Sequence, residues 1–333
     1  MLFRSNGEPM KRRTVLAFLS AASGLLALPA FGQKRMPRVA FFSPAAEDVV
    51  AVWAKGFHEA LGGLRYENGR NIVLEVVMGA FSRERTDQLA AELIASRPAI
   101  IVTPGFAALL LAGLTKEIPI VTAYSGDLVD SGLAKSLARP GGNVTGVQLL
   151  DLELVGKRVE ILKEIMPRLE RLAVVASPHH PGEPRERHAT TVAAQRLGIA
   201  VSYHPVKNAS ELEGGLEALR RAGAQAIVSF PDGISLPFRE KIAAFALRHK
   251  IATASGWDVY AAAGHLVSYG PNVRATYGRL AHYVDRILKG ADPASLAVEL
   301  PTTFQLTVNL KSAGALGLHV PQSVLLRADR VIE

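Results

Sequence analysis

The chain has 333 residues, a formal charge of +8 and no cysteine, which excludes a disulfide framework, thiol catalysis, a thiolate metal site and a lipid-anchored N-terminal cysteine. The basic excess is mild: without residues 1–32 it falls to 34 basic against 29 acidic side chains, interspersed rather than clustered with aromatics, so no nucleic-acid partner is expected. The remaining length, about 300 residues, is too great for one typical core and predicts two domains.

Lys11, Arg12 and Arg13 precede an apolar run over residues 15–28, and Ala30 and Gly32 frame a cut before Gln33. That succession is a signal peptide, cleaved near Gly32, and predicts a periplasmic mature protein. The run falls short of the ~20 residues that span a bilayer, and no later segment reaches that length without charges, so the mature chain is not expected to cross the membrane. The arginines fit either a twin-arginine signal or the basic flank of a Sec signal. Met10 is a second candidate start, and residues 1–32 are set aside as extension and leader.

From Arg38 onward, short β-branched runs alternate with amphipathic stretches, the pattern of parallel strands with crossover helices. Strands are predicted over 39–43, 72–77, 100–103 and 118–123, and again over 172–176, 199–203, 226–230 and 251–254. Two sets of similar spacing predict two similar α/β lobes. Val49, Val50, Trp53, Phe57 and Leu61 recur at helical spacing, which predicts that Trp53 packs on its own lobe. One helix is expected from Ser82 through Leu89 and Leu93 to Arg97-Pro98, and another from Ser210 through Leu212, Leu216 and Leu219 to Gly223. Pro140-Gly141-Gly142-Asn143 is a turn signal between the two sets, with two readings: a crossing between lobes or an ordinary surface loop. A late helix over 275–288 and a late strand over 304–310 supply a return and a further crossing, hence a multi-strand hinge. The expected lobes are 37–145 plus 270–297 (N-terminal) and 146–269 plus 298–333 (C-terminal).

The residues from Ser136 to Gly146, SLARPGGNVTG, followed by Lys157-Arg158 and Leu162, resemble a block of the bacterial ABC-transporter substrate-binding family that includes TrpX-like tryptophan-binding proteins. So do Gly264-His265-Leu266-Val267-Ser268-Tyr269-Gly270-Pro271-Asn272, the stretch from Tyr283 to Gly290, Pro301 with Phe304, Leu306 and Asn309-Leu310-Lys311, and the tail through Ala315-Leu316-Gly317-Leu318, Val320-Pro321 and Arg327-Ala328-Asp329 to Glu333. The resemblance implies a type I periplasmic binding protein: two doubly wound parallel-sheet lobes, a three-strand hinge and a solute held between them. It further implies a monomeric binding protein without a cofactor, not an enzyme, that delivers a small molecule to a membrane ABC permease. A partnership with a membrane sensor and an exported α/β enzyme are the alternatives. An amino acid is the first choice of ligand, with small organic acids and amides also open.

In open parallel sheets, ligands meet the loops leaving the carboxyl ends of strands. That rule, with the resemblance, selects Ser43, Thr103, Gly105, Phe106, Ser125, Asp127, Asp232, Trp257 and Tyr269 as ligand-binding candidates. Hydroxyls and helix N-termini suit a carboxylate, an aspartate suits an ammonium, and rings cover an apolar side chain. Each has a plainer alternative: Ser43, Thr103, Ser125 and Asp232 as helix caps, Asp127 as a turn-former, Trp257 as core packing. Asp127-Leu128-Val129 stands where the family commonly has Asp-Pro-Val, so the family's contacts there do not carry over directly. His179-His180, among prolines, reads as an exposed loop without a metal-like partner, and His58-Glu59 as helix surface. No G-x-S-x-G elbow, P-loop lysine or G-x-G-x-x-G follows a strand.

Overall fold

The computed structural model describes residues 36–333 except 46, 80–81, 106, 150 and 233–234. The expected leader and Phe106 lie outside the described residues. The first lobe runs β1 (Arg38–Ser43), α1 (Glu47–Gly63), β2 (Val73–Met78), α2 (Arg83–Ala95), β3 (Ile100–Pro104), α3 (Ala107–Leu114), β4 (Ile120–Tyr124) and β5 (Val144–Gln148). The second continues with α4 (Asp151–Ile165), β6 (Arg171–Ala176), α5 (Glu183–Arg196), β7 (Ala200–Pro205), α6 (Ala209–Arg221), β8 (Ala226–Ser229), α7 (Arg239–Arg248), β9 (Ala252–Ser255), α8 (Asp258–Ala262) and β10 (Val267–Pro271). The chain then returns through α9 (Val273–Leu288) and ends with β11 (Phe304–Asn309), α10 (Leu310–Leu316), α11 (Gln322–Leu325) and β12 (Arg330–Ile332).

The first sheet has the order β2-β1-β3-β4-β5, all parallel. The second repeats it as β7-β6-β8-β9-β10 and adds β11, antiparallel to β10, with β12 beside it. Strands covered on both faces read as continuous apolar runs; β3 and β4 are buried at every residue. One face of the first sheet packs through Phe41 and Val102 on Trp53, Phe57 and Leu61 of α1 and on Tyr277, Leu280 and Val284 of α9, while the other meets α2 and α3 through Ala90, Leu93, Ala108 and Leu111. The second sheet is wound likewise, with Val159 and Leu162 of α4 on one side and Leu216, Leu219, Ile242 and Ala246 of α6 and α7 on the other.

Three lobe boundaries shift from their expected positions. β5 pairs with β4 from Val144 to Gln148, so the first sheet extends beyond residue 145. β10 pairs with β11 through Pro271, so residues 270–271 belong to the second sheet. Val298 is buried in the first lobe and Glu299 forms a bridge to Val147, so residues 298–299 stay with the first lobe. The reason is physical: backbone pairing, not the end of an apolar run, decides where a strand changes sheet. The turn signal at Pro140-Gly141-Gly142-Asn143 therefore leads directly into a strand, β5. Among the described residues, no helix is long and apolar enough to cross a membrane.

Candidate functional site

The carboxyl ends of both sheets face a shared cavity of about 890 Å³. In a sheet of order 2-1-3-4-5 the crevice opens where neighbouring connections leave in opposite directions, beside the first and third strands. Ser43 at the end of β1 and Pro104-Gly105 at the end of β3 occupy that place in the first lobe, and Ser125 and Leu149 line it from beyond β4 and β5. His179, Lys207, Asp232 and Trp257 follow β6, β7, β8 and β9 on the opposite wall. The volume lies near the upper end of the ~300–1,000 Å³ typical of small-molecule sites.

An aromatic cluster joins the lobes at this cavity. The rings of Trp53 on α1 and Tyr277 on α9 lie 5.8 Å apart and nearly parallel, and Trp257 meets Trp53 edge-on with centroids 6.2 Å apart. Such an edge-to-face pair is favoured by the ring quadrupoles. Both indole Nε1 atoms are buried and find no hydrogen-bond acceptor among the described residues. Burial also pushes the Tyr277 phenol well above its ordinary pKa, so it stays protonated.

The second wall carries buried polar groups. The backbone N–H of Ser235 donates to Asp232 Oδ1, while Ser235 Oγ accepts from Asp232 N at 3.1 Å, donates to the Phe230 carbonyl at 2.7 Å and lies 2.9 Å from Tyr260 Oη. With its hydroxyl hydrogen on Phe230, Ser235 accepts from Tyr260. Asp232 is thus both a capping residue for its loop and a cavity wall. His180 Nε2 lies 2.7 Å from Glu186 Oε1, and its Nδ1 lies 3.4 Å from Ser125 Oγ of the first lobe and 3.9 Å from Asp232 Oδ2. His180 is therefore not in an exposed loop as its prolines suggested: it is buried, and its carboxylate partner sits six residues onward, a spacing that joins a loop to the first turns of α5. Behind this wall His265 donates through Nε2–H to the Arg239 carbonyl at 3.0 Å and packs edge-on against Tyr260; burial lowers its pKa to about 4.

The loop that carries Trp257 is seated on backbone. A Cβ on Gly256 would lie 2.5 Å from Arg158 Nη2, and a Cβ on Gly270 only 1.9 Å from the Gly256 carbonyl oxygen. Only glycine permits so close an approach. The buried Arg158 of α4 also donates from Nε to the Tyr269 carbonyl at 2.8 Å, tying the end of β10 to the same knot.

Of the sequence candidates, Ser43, Gly105, Ser125, Asp232 and Trp257 come together around the cavity. Ser43 Oγ also accepts from Ala45 N at 3.1 Å, a local turn. Thr103 does not line the cavity; it is enclosed within β3. Tyr269 does not line the cavity; its partly buried ring packs against the second lobe's core. Asp127 is not a cavity residue either: Oδ1 accepts from Val129 N and Asp130 N, the turn-forming role, and Oδ2 lies 3.5 Å from Arg185 Nη1 in a separate crevice. Trp53, expected to serve its own lobe alone, reaches Trp257 of the other. Sequence reasoning missed Tyr277, Phe238, Leu109, Thr86 and Asp87. The carboxyl-end rule, applied also after β2 and β7, would have found Ser82–Thr86 and Lys207–Asn208; the α9 residues arrive by the return crossing and carry no local signal.

Two winged sheets with a cavity between their carboxyl ends define a binding protein of the type I periplasmic class. The family described as ABC transporter substrate binding protein matches residues 38–332, and the chain belongs to it. A tyrosine-binding protein of Clostridioides difficile (strain R20291) is 24% identical over 275 residues, spanning 80% of this chain and 76% of the relative. A conserved domain protein from Vibrio cholerae superposes with a TM-score of 0.84 at 25% identity over 89% of this chain and 100% of its own. An ABC domain in complex with L-Trp from Streptococcus pneumonia does so with a TM-score of 0.82 at 21% identity, over 89% and 99%. The protein is thus a substrate-binding protein that takes a small ligand, not an enzyme.

Proposed function

We propose that the protein is exported to the periplasm, captures an amino acid with an aromatic or branched side chain in the interlobe cavity, and hands it to a membrane ABC permease. The carrying observation is the cavity's division of labour: an apolar, ring-lined wall around Trp53, Tyr277 and Leu109, and a buried carboxylate, Asp232, on the facing wall. Asp232 takes the ammonium. Hydroxyls at Ser43 and Ser125 and the amide-rich loop at Gly105 take the carboxylate, and Trp53 and Trp257 cover the side chain. The tyrosine-binding relative and the L-Trp complex support that ligand class. A solute touching both walls favours the closed form, and the permease reads that form. The leader, with its basic residues, apolar run and small residues before Gln33, supports export.

Native mass spectrometry of the freshly purified chain from Gln33, followed by a thermal-shift screen of the amino acids, tests this. At 100 times its dissociation constant a true ligand raises stability by about 2.7 kcal/mol. No retained mass and no shift with any amino acid would overturn the proposed ligand class.

A further inference from the structure

Away from the cavity, the lobes meet along a polar seam that sequence reasoning had assigned to the ligand. Arg185 stands in the first turn of α5, where the helix dipole disfavours a cation. Its guanidinium reaches across to the first lobe, with Nη1 3.5 Å from Asp127 Oδ2 and Nη2 paired with Asp130 Oδ2. Asp127 is aimed by its own turn, since Oδ1 holds the N–H groups of residues 129 and 130 at 2.8 and 3.0 Å. The backbones beside this pair are nearly in contact: a Cβ on Gly182 would lie 2.9 Å from the Ser125 carbonyl oxygen, and one on Gly126 3.0 Å from Pro181 Cβ. Opening the lobes at this seam would draw these groups apart. The carboxylates lie outside the main cavity, so their charge is not directed at the ligand.

We propose that Arg185, Asp127 and Asp130 form an electrostatic latch across the lobes, which biases the protein toward the closed form without ligand and raises affinity for whichever solute it carries. Apparent affinity scales with the population of the competent state, so a latch that shifts this population shifts affinity by the same factor. The three side chains are 33% to 54% exposed, so the effect is small and sensitive to salt.

The absence of cysteine makes the test direct. Ala91→Cys on α2 and Lys241→Cys on α7, both exposed, give one fluorophore site on each lobe. Energy transfer is measured in the ligand-free protein, so the outcome is independent of the proposed ligand class. Arg185→Ala is expected to lower the closed-to-open ratio about two- to fivefold in ~0.1 M salt. Its distribution should no longer respond when salt is raised to ~1 M and the screening length falls from about 10 to about 3 Å. Asp130→Asn, which keeps the backbone bonds of the Asp127 turn, should reproduce the shift, and Arg185→Glu combined with Asp130→Arg should restore the parent ratio in part, since a carboxylate at position 185 also faces Asp127. Distributions and salt responses identical to those of the parent in both single variants overturn the latch.

Discussion

The boundary between the lobes has two unlike halves. Around the cavity, Trp53 and Tyr277 meet Trp257 and Tyr260 in a buried aromatic cluster; along the seam, a half-exposed arginine meets two aspartates. Apolar contact yields roughly 25 cal/mol per Å² buried and is not screened by salt, whereas an exposed ion pair yields about 0–1 kcal/mol and fades with ionic strength. The aromatic half therefore makes the larger contribution to holding the lobes together, and the ionic half the smaller, salt-sensitive one.

Trp257→Ala breaks the comparison at its strong end. Truncating a buried tryptophan costs about 3–5 kcal/mol, read by urea unfolding; a loss no larger than that of Arg185→Ala would put the two halves on an equal footing. The next effect is acid sensitivity of the wall behind the cluster. His265, held at about pKa 4 against an ordinary 6.5, stays neutral in the fold while the unfolded chain takes up the proton first. Its contribution is complete above about pH 6.5 and is lost as pH falls toward 4, about 3 kcal/mol in all. His265→Gln, which keeps an N–H donor for the Arg239 carbonyl, should lose correspondingly less stability between pH 7 and about 4.5. Parallel losses in variant and parent would clear His265 of that role. Smaller again is Asp232→Asn, whose side-chain oxygen still accepts from Ser235 N. Removing its charge should weaken L-tryptophan or L-tyrosine binding about 10- to 150-fold by calorimetry, with little change in unfolding. Unaltered affinity would confine Asp232 to its turn.

The repeated strand-helix alternation was legible because both sheets are covered on two faces, so each strand reads as a β-branched run. β5 was not: Gly146 and Gln148 interrupt its apolar pattern, and its pairing with β4 is fixed by backbone alone. The site divides in the same way. Ser43, Ser125, Asp232 and Trp257 lie where each strand ends, which the order of the chain discloses. Tyr277 reaches the cavity only because α9 returns to pack beside α1, and Tyr269 misses it because its ring packs against the second lobe's core. Contacts made between distant segments leave no mark on local pattern. Asp127 shows the converse: a residue in the right loop, turned by its own hydrogen bonds toward the other lobe.

The glycine knot at Gly256 and Gly270 separates two properties that proteins often entangle. Main chain rests on main chain there, so the path of the loop is set without help from the side chain that follows it. Exchanging residue 257 carries a stability cost but leaves the path of the loop where it is, and the same frame can be retuned to new solutes one side chain at a time. A single methyl added at Gly270, aimed at a carbonyl oxygen 1.9 Å away, would spoil every such variant alike. Diversity is free to gather at the rim of the cavity, while the glycine contact beneath it tolerates none.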